Sequence, residues 1–444
     1  MNGDHKRKSG YPFPLALMIW SMGAVLSLLV SPQTPVNAAS ISGESNTIFR
    51  MMKSTSDKNL YPLFEYLRFS GTDNVGDYGS VALNMGGWGR VDLGDNSFYN
   101  TDKQDGDLQY GYLSYRSNKN NLLFNAGRQF VAEGVTADRL DGLYFRSDLA
   151  AGFGAAAYVG SPVVLEPNYK GGDLIYGGRI TQSNPKYYSL GISALRTDQN
   201  GSRLREEQGV DLWLHPLKQI DVVGKSSYNS ITSGWMNHDY VITFNLLESL
   251  SFSGNGSYIS YKDYFYQVTT NALSLTPNGQ LNPNEKVLTL GGSIDFSPVK
   301  YFRLTADYKN YDYDIAGQAQ YYGGKATFSL PDSFVAGFSI HRMNGETDTL
   351  RYDKYRLFAQ KKLGKADLTV DFFNVNYQSA INGIKNTYSV TGAAAYDITE
   401  NFRVAVDVNY LQDTLFDNAV TGLVKVTYSF DKKLGAEGRA KSEK

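Results

Sequence analysis

The chain has 444 residues and not one cysteine. That absence excludes disulfides, cysteine-ligated metal centres and haem attached through C-x-x-C-H. Long apolar runs are missing too: beyond the first 30 residues none approaches the roughly 18 residues a membrane-spanning helix needs. A membrane barrel survives that test, because only every second residue of a strand meets lipid and the mean hydropathy stays low. No excess of charge of one sign is present, with 43 Lys+Arg against 44 Asp+Glu, so the electrostatic footprint of a nucleic-acid binder is lacking. Histidine is scarce. Past the N-terminal segment only His215, His238 and His341 remain, with no H-E-x-x-H and no G-x-S-x-G, and the sequence reads as that of a non-enzyme. The groups Asp102, Asp105 and Asp107, and Asp312 and Asp314, lack the Asp-x-Asp-x-Asp-Gly loop with its distal Glu, so they read as charged loops rather than calcium sites. What the chain has in abundance is 33 Tyr and 44 Gly against 13 Pro, an inventory of strands and turns.

The N-terminus reads as an address. His5-Lys6-Arg7-Lys8 is a basic n-region, residues 13–30 are mainly apolar, and Val36-Asn37-Ala38 has the small-residue form of a cleavage site. Residues 1–38 are therefore expected to be a signal peptide. Its removal leaves 40 basic and 43 acidic residues.

Period-2 alternation then dominates. In residues 401–430, Phe402, Val404, Val406, Val408 and Tyr410 alternate with Arg403, Ala405, Asp407 and Asn409, and the pattern returns as Val420, Val424, Val426, Tyr428 and Phe430. From residue 79 onward twenty such segments can be placed, separated by alternately short and long connections. Short ones are expected near residues 117–120, 148–150, 216–218, 297–300, 331–332 and 362–365. Long ones are expected near 92–106, 131–139, 160–172, 197–205 and 262–284. That asymmetry, together with the need to pair every strand edge in hydrocarbon, predicts an all-β transmembrane antiparallel barrel of about 20 strands (range 18–22) over residues 79–430, with both termini periplasmic. Residues 39–78 are expected to be a periplasmic or plug segment, residues 431–444 a disordered periplasmic tail, and the last strand to close on the first near residues 81–91. Tyrosines near segment ends, among them Tyr110, Tyr112, Tyr115, Tyr188, Tyr355, Tyr377, Tyr396, Tyr410 and Tyr428, are expected in interface girdles. Twenty strands give a backbone ring roughly 40 Å across, with about 20 Å open after side chains.

Parity assigns a charged inner face, because charge at the lipid midplane costs roughly 2–4 kcal/mol. Arg303, Asp307 and Lys309 oppose Phe302, Leu304 and Ala306; Lys354 and Arg356 oppose Tyr355 and Leu357; Asp367 and Asp371 oppose Leu368 and Val370. Arg403, Asp407 and Lys425 join them, as do Arg90 and Arg146 if their strands keep period. The densest local cluster is Arg128, Glu133, Asp138, Arg139 and Asp141, set among Gly127, Gly134 and Gly142. A loop of this composition that folds inward sets a constriction where charges filter ions. Arg128 shares its register with Leu122, Phe124 and Ala126, so either a bulge at Gly127 reverses its face or it sits above the membrane.

With these segments in place, the sequence resembles the porin-like outer-membrane proteins of Gram-negative bacteria. More narrowly, it resembles the barrel components of porin-cytochrome conduits in metal-reducing Geobacter-type bacteria. The resemblance is carried by Pro62-Leu63-Phe64-Glu65-Tyr66-Leu67, by Gly86-Gly87-Trp88-Gly89-Arg90-Val91-Asp92-Leu93, and by Gly127-Arg128-Gln129 with Glu133-Gly134 and Asp141-Gly142. It implies an integral protein of the outer membrane, among lipid and lipopolysaccharide, inserted by the bacterial barrel assembly machinery. The wider likeness implies a water-filled channel for small hydrophilic solutes or ions. The narrower one implies an insulating sheath around periplasmic and outer-surface multihaem cytochromes. Without cysteine no haem is bound covalently here, and any haem belongs to those partners.

Overall fold

The computed structural model describes residues 39–54, 58–98, 103–163, 172–266, 282–331, 333–414 and 418–434. The expected signal peptide, Asp102 and residues 435–444 lie outside them. The described chain is one antiparallel sheet of 22 long strands, plus a two-residue pairing of Asn59–Leu60 with the first strand. In chain order they are β1 Ala39–Lys53, β2 Pro62–Asn74, β3 Gly79–Asp92, β4 Gln104–Ser117, β5 Leu122–Glu133, β6 Thr136–Asp148, β7 Phe153–Pro162, β8 Leu174–Asn184, β9 Tyr188–Gln199, β10 Ser202–Leu217 and β11 Ile220–Asn229. They continue as β12 Gly234–Leu247, β13 Leu250–Ser260, β14 Lys286–Val299, β15 Phe302–Tyr313, β16 Gly317–Leu330, β17 Phe334–Gly345, β18 Arg351–Leu363, β19 Ala366–Ile381, β20 Ile384–Asp397, β21 Phe402–Gln412 and β22 Ala419–Leu434.

Each strand pairs with its chain neighbours, and β22 pairs with β1 from Ala39↔Leu434 to Met51↔Gly422. The sheet is a closed ring, which leaves no full-length edge bare. Residues 39–78 therefore do not form a plug or periplasmic extension: β1 and β2 are wall strands. Likewise the closing partner of the last strand is β1 and not residues 81–91, and the wall runs past Phe430 to Leu434. The two strands escaped the period-2 search because polar residues in mid-strand break the apolar alternation of their outer face. Ser45 and Thr47 of β1 lie there and donate to the Glu65 carboxylate of β2 at 2.5 and 2.6 Å.

Inner and outer faces follow from contacts between strands that are not neighbours, which only the concave side of a ring allows. Asp307 of β15 meets His341 of β17, and Asp367 of β19 meets Arg403 of β21. Carried around the ring by register, that face holds mainly polar, charged and small residues. The opposite face presents exposed apolar side chains such as Leu288, Leu290, Ile294 and Phe296 on β14. Of the tyrosines expected in girdles, Tyr115, Tyr188, Tyr355, Tyr396, Tyr410 and Tyr428 face outward. Tyr110, Tyr112 and Tyr377 face inward instead.

One end of the ring carries tight connections throughout, at residues 75–78, 118–121, 149–152, 185–187, 218–219, 248–249, 300–301, 331–333, 364–365 and 398–401. Ala39 and Leu434 lie at that end. The other end carries the long connections, 93–103, 163–173 and 261–285, but two expected to be long are not. The β5–β6 and β9–β10 links are two-residue turns at 134–135 and 200–201, with the strands themselves extended.

Candidate functional site

The β5–β6 hairpin is the part of the wall that leaves the ring. β4 and β5 pair over six residues, from Arg116↔Leu123 to Gly111↔Arg128, and then part. β5 and β6 stay paired for twelve, to Glu133↔Thr136. The change of course falls at Gly127, whose φ of +126° favours glycine and where a Cβ would sit 2.3 Å from the Gly111 carbonyl oxygen. The freed tip reaches the inner face of strands three to five places away. Val135 N donates to Ser193 Oγ of β9 at 3.1 Å, and Gly134 lies so close to Ser193 that a Cβ would overlap it.

Ion pairs pin the tip there. Asp138 takes Arg205 of β10 on both carboxylate oxygens, each at 2.9 Å. Arg205 also holds Glu207, at 3.0 Å through Nη2. Glu133, 5 % exposed, accepts from Tyr144 OH at 2.6 Å and lies 3.6 Å from Arg179 of β8, which in turn binds Asp211 at 3.1 Å through Nε. Beneath the tip a dry cluster forms inside the ring from Val131, Leu140, Tyr144, Ala156, Tyr158, Ile175 and Leu195. Leu140 is 0 % exposed, and its burial is worth about 1.5–3 kcal/mol. Beside the tip, Arg179, Arg205, Asp211, Lys225 and Tyr264 line a cavity of 540 Å³.

The inward course also settles the register of Arg128. There is no bulge in β5: its pairing with β6 is continuous, and Arg128 keeps the face of Phe124 and Ala126. Because the hairpin has swung into the ring, that face now looks across the lumen side of β4. Arg128 forks Asp141 at 2.8 and 3.0 Å, reaches Asp107 at 3.1 Å, and donates to the Leu108 carbonyl at 2.9 Å. It fills the seam where β4 and β5 separate. Arg139 lies on the same back face, opposite Phe130.

The remaining candidates sit elsewhere on the inner face. Arg90 and Asp92 form a close ion pair with side chains 0 % and 1 % exposed, under Phe98, so they pack a loop against the wall and do not border open space. Arg146 is near the tight-turn end, 4.0 Å from Asp148. Across the ring, Asp307 takes His341 Nε2 at 2.9 Å, Arg356 forks Asp371 at 3.1 Å through Nε, and Lys354 and Asp407 line the same 570 Å³ cleft. Arg403 joins Asp397 at 2.6 Å, with Asp367 close by. Arg303 and Lys425 are on this face by register. Apart from Arg90, the candidates thus divide between the β5–β6 hairpin with its seam and the wall from β15 to β22.

Sequence reasoning missed Arg179, Arg205, Glu207 and Asp211. A signal existed: Arg205, Glu207 and Asp211 share one parity on β10, opposite Val210 and Leu212. The three histidines lie apart, His215 on Asp221 at 2.8 Å, His238 on Ser226 at 2.7 Å on the outer face, and His341 on Asp307. Among the described residues no group of three metal-ligating side chains converges.

Fold and site together define a closed 22-stranded antiparallel β-barrel with ion pairs on its inner face and the tip of its own β5–β6 hairpin folded against that face. No protein-family profile matches the sequence, and no characterised protein matches it by sequence. Solved structures do. The ferric enterobactin receptor PfeA of Pseudomonas aeruginosa, in a mutant form, superposes with a TM-score of 0.53 over 88 % of this chain and 80 % of its own, at 10 % identity. OccAB4 of Acinetobacter baumannii gives 0.45 over 90 % and 100 %, at 9 % identity, and the outer membrane protein OpdK of P. aeruginosa gives 0.42 over 89 % and 99 %, also at 9 %. At these identities the likeness is one of fold.

Proposed function

We propose that the protein is an integral outer-membrane channel. On this reading its apolar outer face meets lipid, its tight-turn end with both chain ends faces the periplasm, and small hydrophilic solutes or ions cross its wet lumen. The observation that carries the proposal is the ion-paired hairpin tip within a charged ring. A wall folded inward and held by Asp138–Arg205 and Glu133–Arg179 narrows a pore at a fixed place with fixed charges, which is how rings of charge select ions. A sheath for a multihaem cytochrome needs the lumen clear, and a hairpin folded against the inner wall favours the channel over it. The test is to purify the full chain in mild detergent, stain co-eluting bands for haem, and record the same preparation in planar bilayers. Conductance without haem is expected. A folded barrel that carries no current and elutes with haem would reverse the reading in favour of the sheath.

A further inference from the structure

On the inner face of β15–β19 aromatic rings gather among the polar residues. Tyr311 and Tyr313 of β15, Tyr321 of β16, Tyr352 of β18 and Tyr377 of β19 all lie on the inner face. Register puts them in a band: Tyr321 is opposite Met343 of β17, Met343 opposite Tyr352, and Tyr352 opposite Tyr377. Met343 at the centre is only 5 % exposed. Tyr311 and Tyr313 stack at 6.1 Å, and Tyr352 and Tyr377 meet edge to face at 5.8 Å. Among the described residues the hydroxyls of Tyr311, Tyr321, Tyr352 and Tyr377 have no hydrogen-bond partner.

One register step deeper the lining turns ionic. The Tyr321 ring lies parallel to His341 at 5.0 Å, and the Lys354 ammonium is 5.0 Å from the Tyr321 centroid. His341 is engaged by Asp307, and Arg356 by Asp371, at the edge of the 570 Å³ cleft. Tyrosines that serve a membrane interface point outward, as Tyr396 and Tyr410 do; these five, part-buried, turn to the inner face instead. Asp307 is engaged by His341 and Asp371 by Arg356, while Lys354 lies over the Tyr321 ring without an ion pair among the described residues, so the patch offers hydrogen-bond donors and acceptors around one cation.

From this juxtaposition we infer that the β15–β19 wall is a binding subsite for neutral saccharides. The C–H faces of a sugar ring lie on Tyr352 and Tyr377, and its equatorial hydroxyls reach the tyrosine hydroxyls, Lys354 and the Arg356–Asp371 pair. An anionic solute finds His341 and Arg356 already taken by carboxylates and meets only Lys354, over the Tyr321 ring. The inference rests on the channel reading for the solute's route, but binding is measurable without transport.

The test is titration calorimetry of the detergent-folded full chain with maltotriose, and with benzoate as the anionic aromatic comparison. Saturable binding of maltotriose is expected, weakened about tenfold by Tyr352→Ala with Tyr377→Ala and unchanged by the outward Tyr396→Ala. Tyr352→Phe with Tyr377→Phe keeps the rings and is expected to lose less, which guards against misfolding of the alanine pair. Absence of maltotriose binding to the folded wild type, binding indifferent to both double variants, or preference for benzoate would overturn the subsite. A barrel that binds maltotriose yet carries no current keeps the subsite and defeats the channel. One that conducts without binding does the reverse.

Discussion

Two residues govern whether the hairpin stays inside the ring. Gly127 makes the bend, and any side chain there meets both an unfavourable φ and the Gly111 carbonyl. Gly127→Val is expected to cost about 1–3 kcal/mol and to weaken the Arg128 contacts across the seam. Urea unfolding of the purified barrel reads that loss. Arg179 holds the far end. With Arg179→Ala the nearly buried Glu133 carboxylate loses its cation, and because the pair is partly solvated the cost is about 1–3 kcal/mol rather than the full penalty of a sealed pair. Single-channel records of that variant are expected to show added noise from a tip that is no longer pinned. A quiet trace identical to wild type would mean that the dry cluster holds the tip unaided. That cluster has its own test: Leu140→Ala is expected to lower stability by about 2–4 kcal/mol in the same unfolding assay.

At the scale of elements, the hairpin and β1 make opposite predictions. Replacing residues 129–138 by a two-residue turn is expected to leave the ring closed, since β4–β5 and β5–β6 pairing below the seam is untouched, and to raise conductance several-fold. Equal conductance would show that the tip does not limit the pore. Deleting residues 39–61 removes β1, and with it the partner of both β22 and β2, so the truncated chain is expected to fail to fold. A plug would have been dispensable. The same two elements mark where sequence reading succeeds and fails. From residue 79 onward all twenty strands were legible because their outer positions are mainly apolar and their inner ones mainly polar, charged or small. β1 and β2 were hidden because Ser45, Thr47 and Glu65 satisfy one another on the outer face, which erases the alternation. The β5–β6 tip was hidden for a different reason. Both its faces are enclosed by protein and lumen, so Phe130, Val131 and Glu133 follow no lipid-facing period, and the stretch read as a long loop. The parity of Arg128 was read correctly; what sequence could not supply was the turn of the whole hairpin into the ring. Arg179, Arg205 and Asp211 act only as the wall met by that tip, a contact between distant strands that no local pattern encodes.

At the scale of the molecule, closure organises everything else. Twenty-two strands give a backbone ring roughly 44 Å across, wide enough that its use depends on what stands inside it. On one side stands the folded-in hairpin with its dry cluster and ion pairs; on the other, the tyrosine band above paired charges. Both belong to one polypeptide. The account therefore stands or falls on a planar-bilayer recording of the purified, folded full chain, beside the variant lacking residues 129–138. It predicts stepwise ion conductance from the wild type and a larger step from the variant. A folded wild-type barrel that inserts yet passes no current, with or without the hairpin, would contradict it.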